Sequence, residues 1–174
     1  MHRNTIQRAA CLLAVAVALA APGLQAQQAA GAQASFAGDV GTLSDKFSGL
    51  AKVLDAKYDY RPGQGVRSTA DVLNLIVMEN GLLAGVLTGA APGARPAPVT
   101  DPAKMQDALK NSYASLKKAI EGLSDSDLNT SVKMFGSNTT KRGAIQMALT
   151  DQHEHLGQLI AYSRVNGVVP PWSK

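Results

Sequence analysis

Asp151 and His155 stand four residues apart in Asp151-Gln152-His153-Glu154-His155-Leu156-Gly157-Gln158, the part of this chain whose residue types and spacing best suit chemistry. On a helix turning about 100° per residue, positions four apart lie one turn above each other on the same side. A carboxylate and an imidazole so placed can bind one divalent cation. His153, about 200° round from Asp151, points away. The flanking Ala148, Leu149, Leu159 and Ile160 are apolar, which aims the pair at a protein interior. Two ligands do not make a site, however, and the same spacing also serves an ordinary surface hydrogen bond or ion pair. On these residues alone both readings stay open.

Other chemistries find less support. The single cysteine, Cys11, lies near the N-terminus, so the rest of the chain has no disulfide, thiolate nucleophile or Cys-ligated metal. No serine or threonine sits in a nucleophile-elbow context, and no c-type haem attachment motif occurs. The net charge is +4, but Lys and Arg form no run interleaved with aromatics, so no nucleic-acid partner is expected. A small molecule is the expected substrate.

Residues 1–26 have the three parts of a signal peptide: basic Arg3 and Arg8, an apolar run from Ala9 to Ala21, and Pro22-Gly23 before a cleavage site at Leu24-Gln25-Ala26. The apolar run is too short to cross a hydrocarbon core of about 30 Å as a helix. Cys11 opens that run rather than following it, which argues against a lipid anchor. The expected product is exported, periplasmic or secreted, with no membrane span in the mature chain. Residues 27–35 read as a flexible lead-in and 36–174 as one domain.

The elements that must position the pair are helical. Aromatic residues make up only 5% of the chain against 45% hydrophobic, so the core rests on Leu, Ile, Val, Met and Ala, a composition that favours helices. Phe36, Val40, Leu43, Phe47, Leu50 and Leu54 recur at spacings of three and four, which predicts a first helix over 35–54. A second opens at Ser68 with a variant capping box to Asp71 and runs to about Thr88 through Val72, Leu75, Ile76, Leu82, Leu83 and Val86. After a Pro-containing connector, Thr100 reads as the N-cap of a third helix carrying Met105, Leu109, Leu116, Ile120 and Leu123, with Tyr113 beside the stripe. The polar stretch 124–139 reads as a loop, with Val132–Phe135 extended against the helices, and no segment reads convincingly as a strand. The fourth helix spans about 140–165 and ends at Gly167, with Gly157 expected to admit a neighbouring helix closely and Trp172 to pack the tail over one end. Such segments can bury their stripes only against one another, so the fold class is all-α, a four-helix bundle after the signal peptide.

Two strings resemble the DinB/YfiT-like family: Lys57-Tyr58-Asp59-Tyr60-Arg61-Pro62 leading to Gly65-Val66-Arg67-Ser68, and His153–Arg164 followed by Asn166-Gly167 and Pro170-Pro171-Trp172-Ser173. The resemblance covers about residues 36–173. It implies a four-helix bundle that often dimerises, so a homodimer is a possible assembly, and that typically holds zinc or nickel with three histidines, one from helix two and two from an HxxxH on helix four. It also implies a metal-assisted transferase or hydrolase in which a thiol or a water attacks an electrophile. Carried over by position, the last histidine falls on His155, the first of the helix-four pair on Asp151, and the helix-two histidine on Leu75, which cannot coordinate. Three readings follow. Glu79, one turn after Leu75, completes an Asp–His–Glu set that favours harder cations. Asn74 or a one-residue register shift fills the gap. Or the metal is lost and the chain is a non-catalytic bundle that binds a ligand or a partner.

Overall fold

The computed structural model describes residues 31–90 and 95–173; the expected signal peptide at 1–26 and the start of the lead-in lie outside them. The first helix, α1, runs over Gly31–Val53. It begins inside the segment expected to be flexible because Gln33 ties it down: Gln33 Nε2 donates to the Leu123 carbonyl at 3.0 Å and to Asp125 Oδ1 at 3.2 Å. The loop after it is strapped to the next helix by Ala70 N to Tyr58 O at 2.9 Å and Thr69 N to Tyr60 O at 3.0 Å.

That next helix, α2, spans Thr69–Thr88 and opens as the spacing predicts. Asp71 N donates to Ser68 Oγ at 3.1 Å and Ser68 N to Asp71 Oδ2 at 2.9 Å, so two otherwise orphaned donors are satisfied reciprocally. Gly89 closes it at φ +72°, a left-handed cap that suits glycine. The third helix, α3, is Pro102–Glu121, and its cap is Asp101 rather than Thr100. With Pro102 in the first helical position, the residue before it is the one whose carboxylate reaches the free N–H groups of Ala103 (2.8 Å) and Lys104 (3.3 Å).

The polar stretch expected to be a loop is more ordered than that. A single helical turn, Asp125–Leu128, leads into two antiparallel strands, β1 (Ser131–Met134) and β2 (Ser137–Thr140), paired from Ser131↔Thr140 to Met134↔Ser137. The two-residue turn between them is Phe135-Gly136, with φ +50° and +81°, the left-handed conformation that matches the twist of a tight hairpin. Thr140 ends β2 and, accepting from Gly143 N at 3.1 Å, caps the last helix, α4, at Lys141–Val165. Among the described residues the chain is thus mostly helical, with one small two-stranded sheet.

α2 packs on both α3 and α4. It is long and apolar enough to cross a membrane by length and composition, with mean hydropathy 1.5, but it also carries three buried polar residues, Thr69, Glu79 and Asn80. α1 joins the others through the Phe47 ring, stacked on Tyr113 at 6.2 Å, and through Asp39, paired with His153 at 3.1 Å. Tyr113, expected beside the stripe of α3, is in the core at 2% exposure. The tail packs onto α1, with Trp172 under the Lys46 ammonium at 5.6 Å and Pro171 against Gly49. Gly157 does not serve close helix approach: it is exposed, and a Cβ there would meet nothing within 4 Å.

Candidate metal centre

Each of the two packed helices carries a polar doublet, Glu79-Asn80 on α2 and Asp151-Gln152 on α4. The packing of α2 on α4 sets the doublets against each other. Glu79, Asp151 and His155 each bring one ligand atom within 4.8 Å of the others. His155 Nε2 lies 3.6 Å from Asp151 Oδ2. Glu79 is 5% exposed, while Asp151 and His155 are half-buried at the edge of the helix pair.

Glu79 Oε2 and Asp151 Oδ2 are both buried without a hydrogen-bond partner. A buried carboxylate left unsatisfied is costly, so a shared proton, a cation or another donor would relieve the two groups. The electrostatics agree. Burial pushes the Glu79 carboxyl up most, the charge of Asp151 and the hydrogen bond that a protonated Glu79 would donate to it push further, and the nearby Arg67 charge opposes them, leaving it at about 8.

The imidazole is oriented by a chain of hydrogen bonds that starts at a fixed acceptor. Tyr162 Oη donates to the Arg67 carbonyl at 2.9 Å, so it accepts from Gln158 Nε2 at 2.7 Å. Gln158 therefore turns its carbonyl oxygen to His155 Nδ1, 3.0 Å away, and that nitrogen carries the proton. The lone pair of Nε2 is left facing Asp151. A histidine held at one nitrogen and bare at the other, aimed at two carboxylates, is how protein metal ligands are arranged. The residues present fit a divalent cation, as one nitrogen and two carboxylate oxygens.

Sequence reasoning places His153 correctly, exposed and turned to Asp39. Of the residues offered in place of the missing helix-two ligand, the structure brings Glu79 to the pair. Asn74 is spent elsewhere, accepting from Val99 N at 2.7 Å and donating to the Val99 and Ala70 carbonyls at 3.0 Å. Leu75 is half-buried one turn away. A second polar layer went unread. Gln152, fully buried, donates to Asn80 Oδ1 at 2.8 Å and accepts from Tyr113 Oη at 3.0 Å, while Asn80 Nδ2 donates to Ser112 Oγ at 3.1 Å. The signal was a polar doublet in the apolar run of α2, of which only Glu79 was taken up.

The model of the DinB superfamily matches residues 43–159, most of the chain and the whole of this helix pair's site. The chain belongs to the DinB superfamily. Its fold is DinB-like too: a DinB-like protein from Bacillus subtilis, YjoA, superposes with a TM-score of 0.65 at 22% identity, covering 76% of this chain and 92% of that one. A DinB-like protein from Bacillus cereus ATCC 10987 gives a TM-score of 0.65 at 17% identity, covering 85% and 93%. No curated protein matches the chain in sequence. Within the DinB superfamily, this chain offers Glu79, Asp151 and His155 where the resemblance implied three histidines, with Leu75 at one of their positions.

Proposed function

We propose that this DinB superfamily protein binds one divalent cation through Glu79, Asp151 and His155 and acts on a small molecule as a metal-assisted transferase or hydrolase. The observation that carries the reading is the meeting of three ligand atoms within 4.8 Å, two of them buried carboxylate oxygens with no other partner. When bound, the cation supplies Lewis acidity at neutral pH. His155 contributes Nε2 because Gln158 holds Nδ1–H. Glu79 gives up its proton on binding, so affinity rises with pH. Two oxygen donors against one nitrogen tilt selectivity from zinc and nickel toward harder cations.

The experiment is metal analysis of protein purified without chelator. The expected outcome is about one equivalent of divalent metal, lost in His155→Ala and in Glu79→Gln. Metal-free protein that takes up none of zinc, nickel, manganese or magnesium in titration sinks the reading. A second reading, a non-catalytic ligand-binding bundle, is favoured by Leu75 at the family's histidine position and by the raised Glu79 pKa, since a proton can replace the cation. The export reading travels with either as a proposal. It is supported by the three-part pattern of residues 1–26 and checked by an N-terminus beginning at Gln27 in the purified, exported protein.

A further inference from the structure

A cavity of about 300 Å³ is lined by α2 and by the connector after it, with Leu75, one turn from Glu79, on its wall. Its walls divide by chemistry. Leu75, Met78, Pro96 and Pro98 make up its apolar part, and Arg67 and Arg95 are the two basic residues of its lining. Neither arginine has an ion-pair partner among the described residues. The one carboxylate on the wall, Asp71, is taken: Ser68 N donates to it at 2.9 Å and Arg61 lies 3.5 Å away. The connector wall is pinned by the two hydrogen bonds between Asn74 and Val99 and by Tyr58 Oη, which donates to the Val99 carbonyl at 3.0 Å, so the cavity is built rather than an accident of a loose loop.

We propose that this cavity binds an anionic small molecule, a carboxylate or phosphate carried on a short apolar body, with Arg67 and Arg95 on the anion and Leu75 and Met78 against the body. Planar guanidinium groups match both anions in geometry, and a pocket with an apolar floor and few charges is the usual form of a small-molecule site. The place of Arg67 connects the cavity to the candidate metal centre. Its carbonyl anchors the Tyr162–Gln158–His155 chain, and its charge acts on Glu79. Leu75 gains a purpose here: where the family resemblance expects a metal ligand, an apolar side chain completes the floor one turn from Glu79. The assignment of the cavity to the substrate of the same site rests on the cation reading; the binding itself does not.

Hexanoate is a suitable probe, with 1-hexanol as its neutral counterpart, titrated into the full chain and followed by amide chemical shifts in both EDTA and zinc. Saturable shifts at Leu75, Met78 and Val99 are expected with hexanoate. 1-Hexanol, Arg67→Gln and Arg95→Gln should each weaken binding by about tenfold or more. Both arginines are exposed, so the variants should keep the wild-type thermal midpoint. Equal binding of 1-hexanol, unchanged affinity in both variants, or no saturable shift by about 10 mM (weaker than roughly −3 kcal/mol) overturns the proposal. Hexanoate binding in EDTA by a protein that takes up none of zinc, nickel, manganese or magnesium removes the cation reading alone; cation uptake without hexanoate binding removes the cavity alone.

Discussion

Gln158 illustrates how much of the site is decided one residue away from the ligands. Its amide has one orientation because Tyr162 Oη must give its proton to the Arg67 carbonyl, and that orientation selects the tautomer of His155. Gln158→Leu releases both Tyr162 and His155, and should lower divalent-cation affinity by about 10- to 100-fold in calorimetric titration. Unchanged affinity would mean the tautomer is set elsewhere. Glu79 makes a pH prediction whose sign is the reverse of an ordinary buried carboxylate in a salt bridge. Its pKa is raised from 4.5 to about 8 in the folded protein, so between those values the folded chain keeps a proton that the unfolded chain has lost. Stability of the metal-free protein should therefore fall as pH rises through this range, by up to about 1.4 kcal/mol per unit, and Glu79→Gln should flatten the curve. Urea midpoints at pH 5, 6, 7 and 8 test it; equal slopes in both proteins would refute it. At this scale Asp151 and His155 were legible in the sequence, because one turn of one helix relates them. Glu79 stood only among three alternatives, since nothing in the sequence states how α2 is rotated against α4.

At the level of elements, what was legible follows from how local each signal is. The box between Ser68 and Asp71 involves neighbouring residues alone, and it is present as expected. Ser68→Ala should cost about 0.5–2 kcal/mol of stability, seen as a lower thermal midpoint. Asp71 adds an acid limb. The Ser68 backbone N–H and hydroxyl, helped by Arg61, hold its pKa below the ordinary value, so its contribution is complete above that value and lost as pH falls through the depressed one. Asp71→Asn should remove that part of the acid sensitivity by lowering neutral-pH stability toward the acid value, because the contribution of the charged carboxylate is lost with it. The hairpin was not legible. β1 and β2 are four residues each, with Met134 as their one buried side chain, and a Phe-Gly turn lacks the Asn-Gly or Asp-Gly signature. They are held by contacts to α4, which begins where β2 ends, and by contacts of β1 to α2, which lies far earlier in the chain.

Across the whole molecule, the fold was readable from periodicity because four amphipathic stripes leave few ways to bury themselves, but the register between the helices was not. Buried Asn80, Gln152 and Tyr113, with half-buried Ser112, form a hydrogen-bonded layer that joins α2, α3 and α4 next to Glu79 and Asp151. An apolar core accepts small slides of one helix along another, whereas hydrogen bonds of 2.8–3.1 Å are lost by them. The adjacency of Glu79 to Asn80, and of Asp151 to Gln152, ties ligand placement to this layer. Two consequences separate stability from positioning. Gln152→Leu alone strands Asn80 and Tyr113 Oη in the core and should cost about 1–3 kcal/mol for each orphaned group. The triple change Asn80→Leu, Gln152→Leu and Tyr113→Phe leaves no such orphan but Ser112, which still donates to the Leu109 carbonyl at 2.9 Å, so most of that loss should return. If the polar layer sets the register, the stable triple variant should still bind cation at least about tenfold more weakly than wild type, because Glu79 is no longer held opposite Asp151. Recovery of both stability and cation affinity in that variant would show that apolar packing alone is enough to place the ligands.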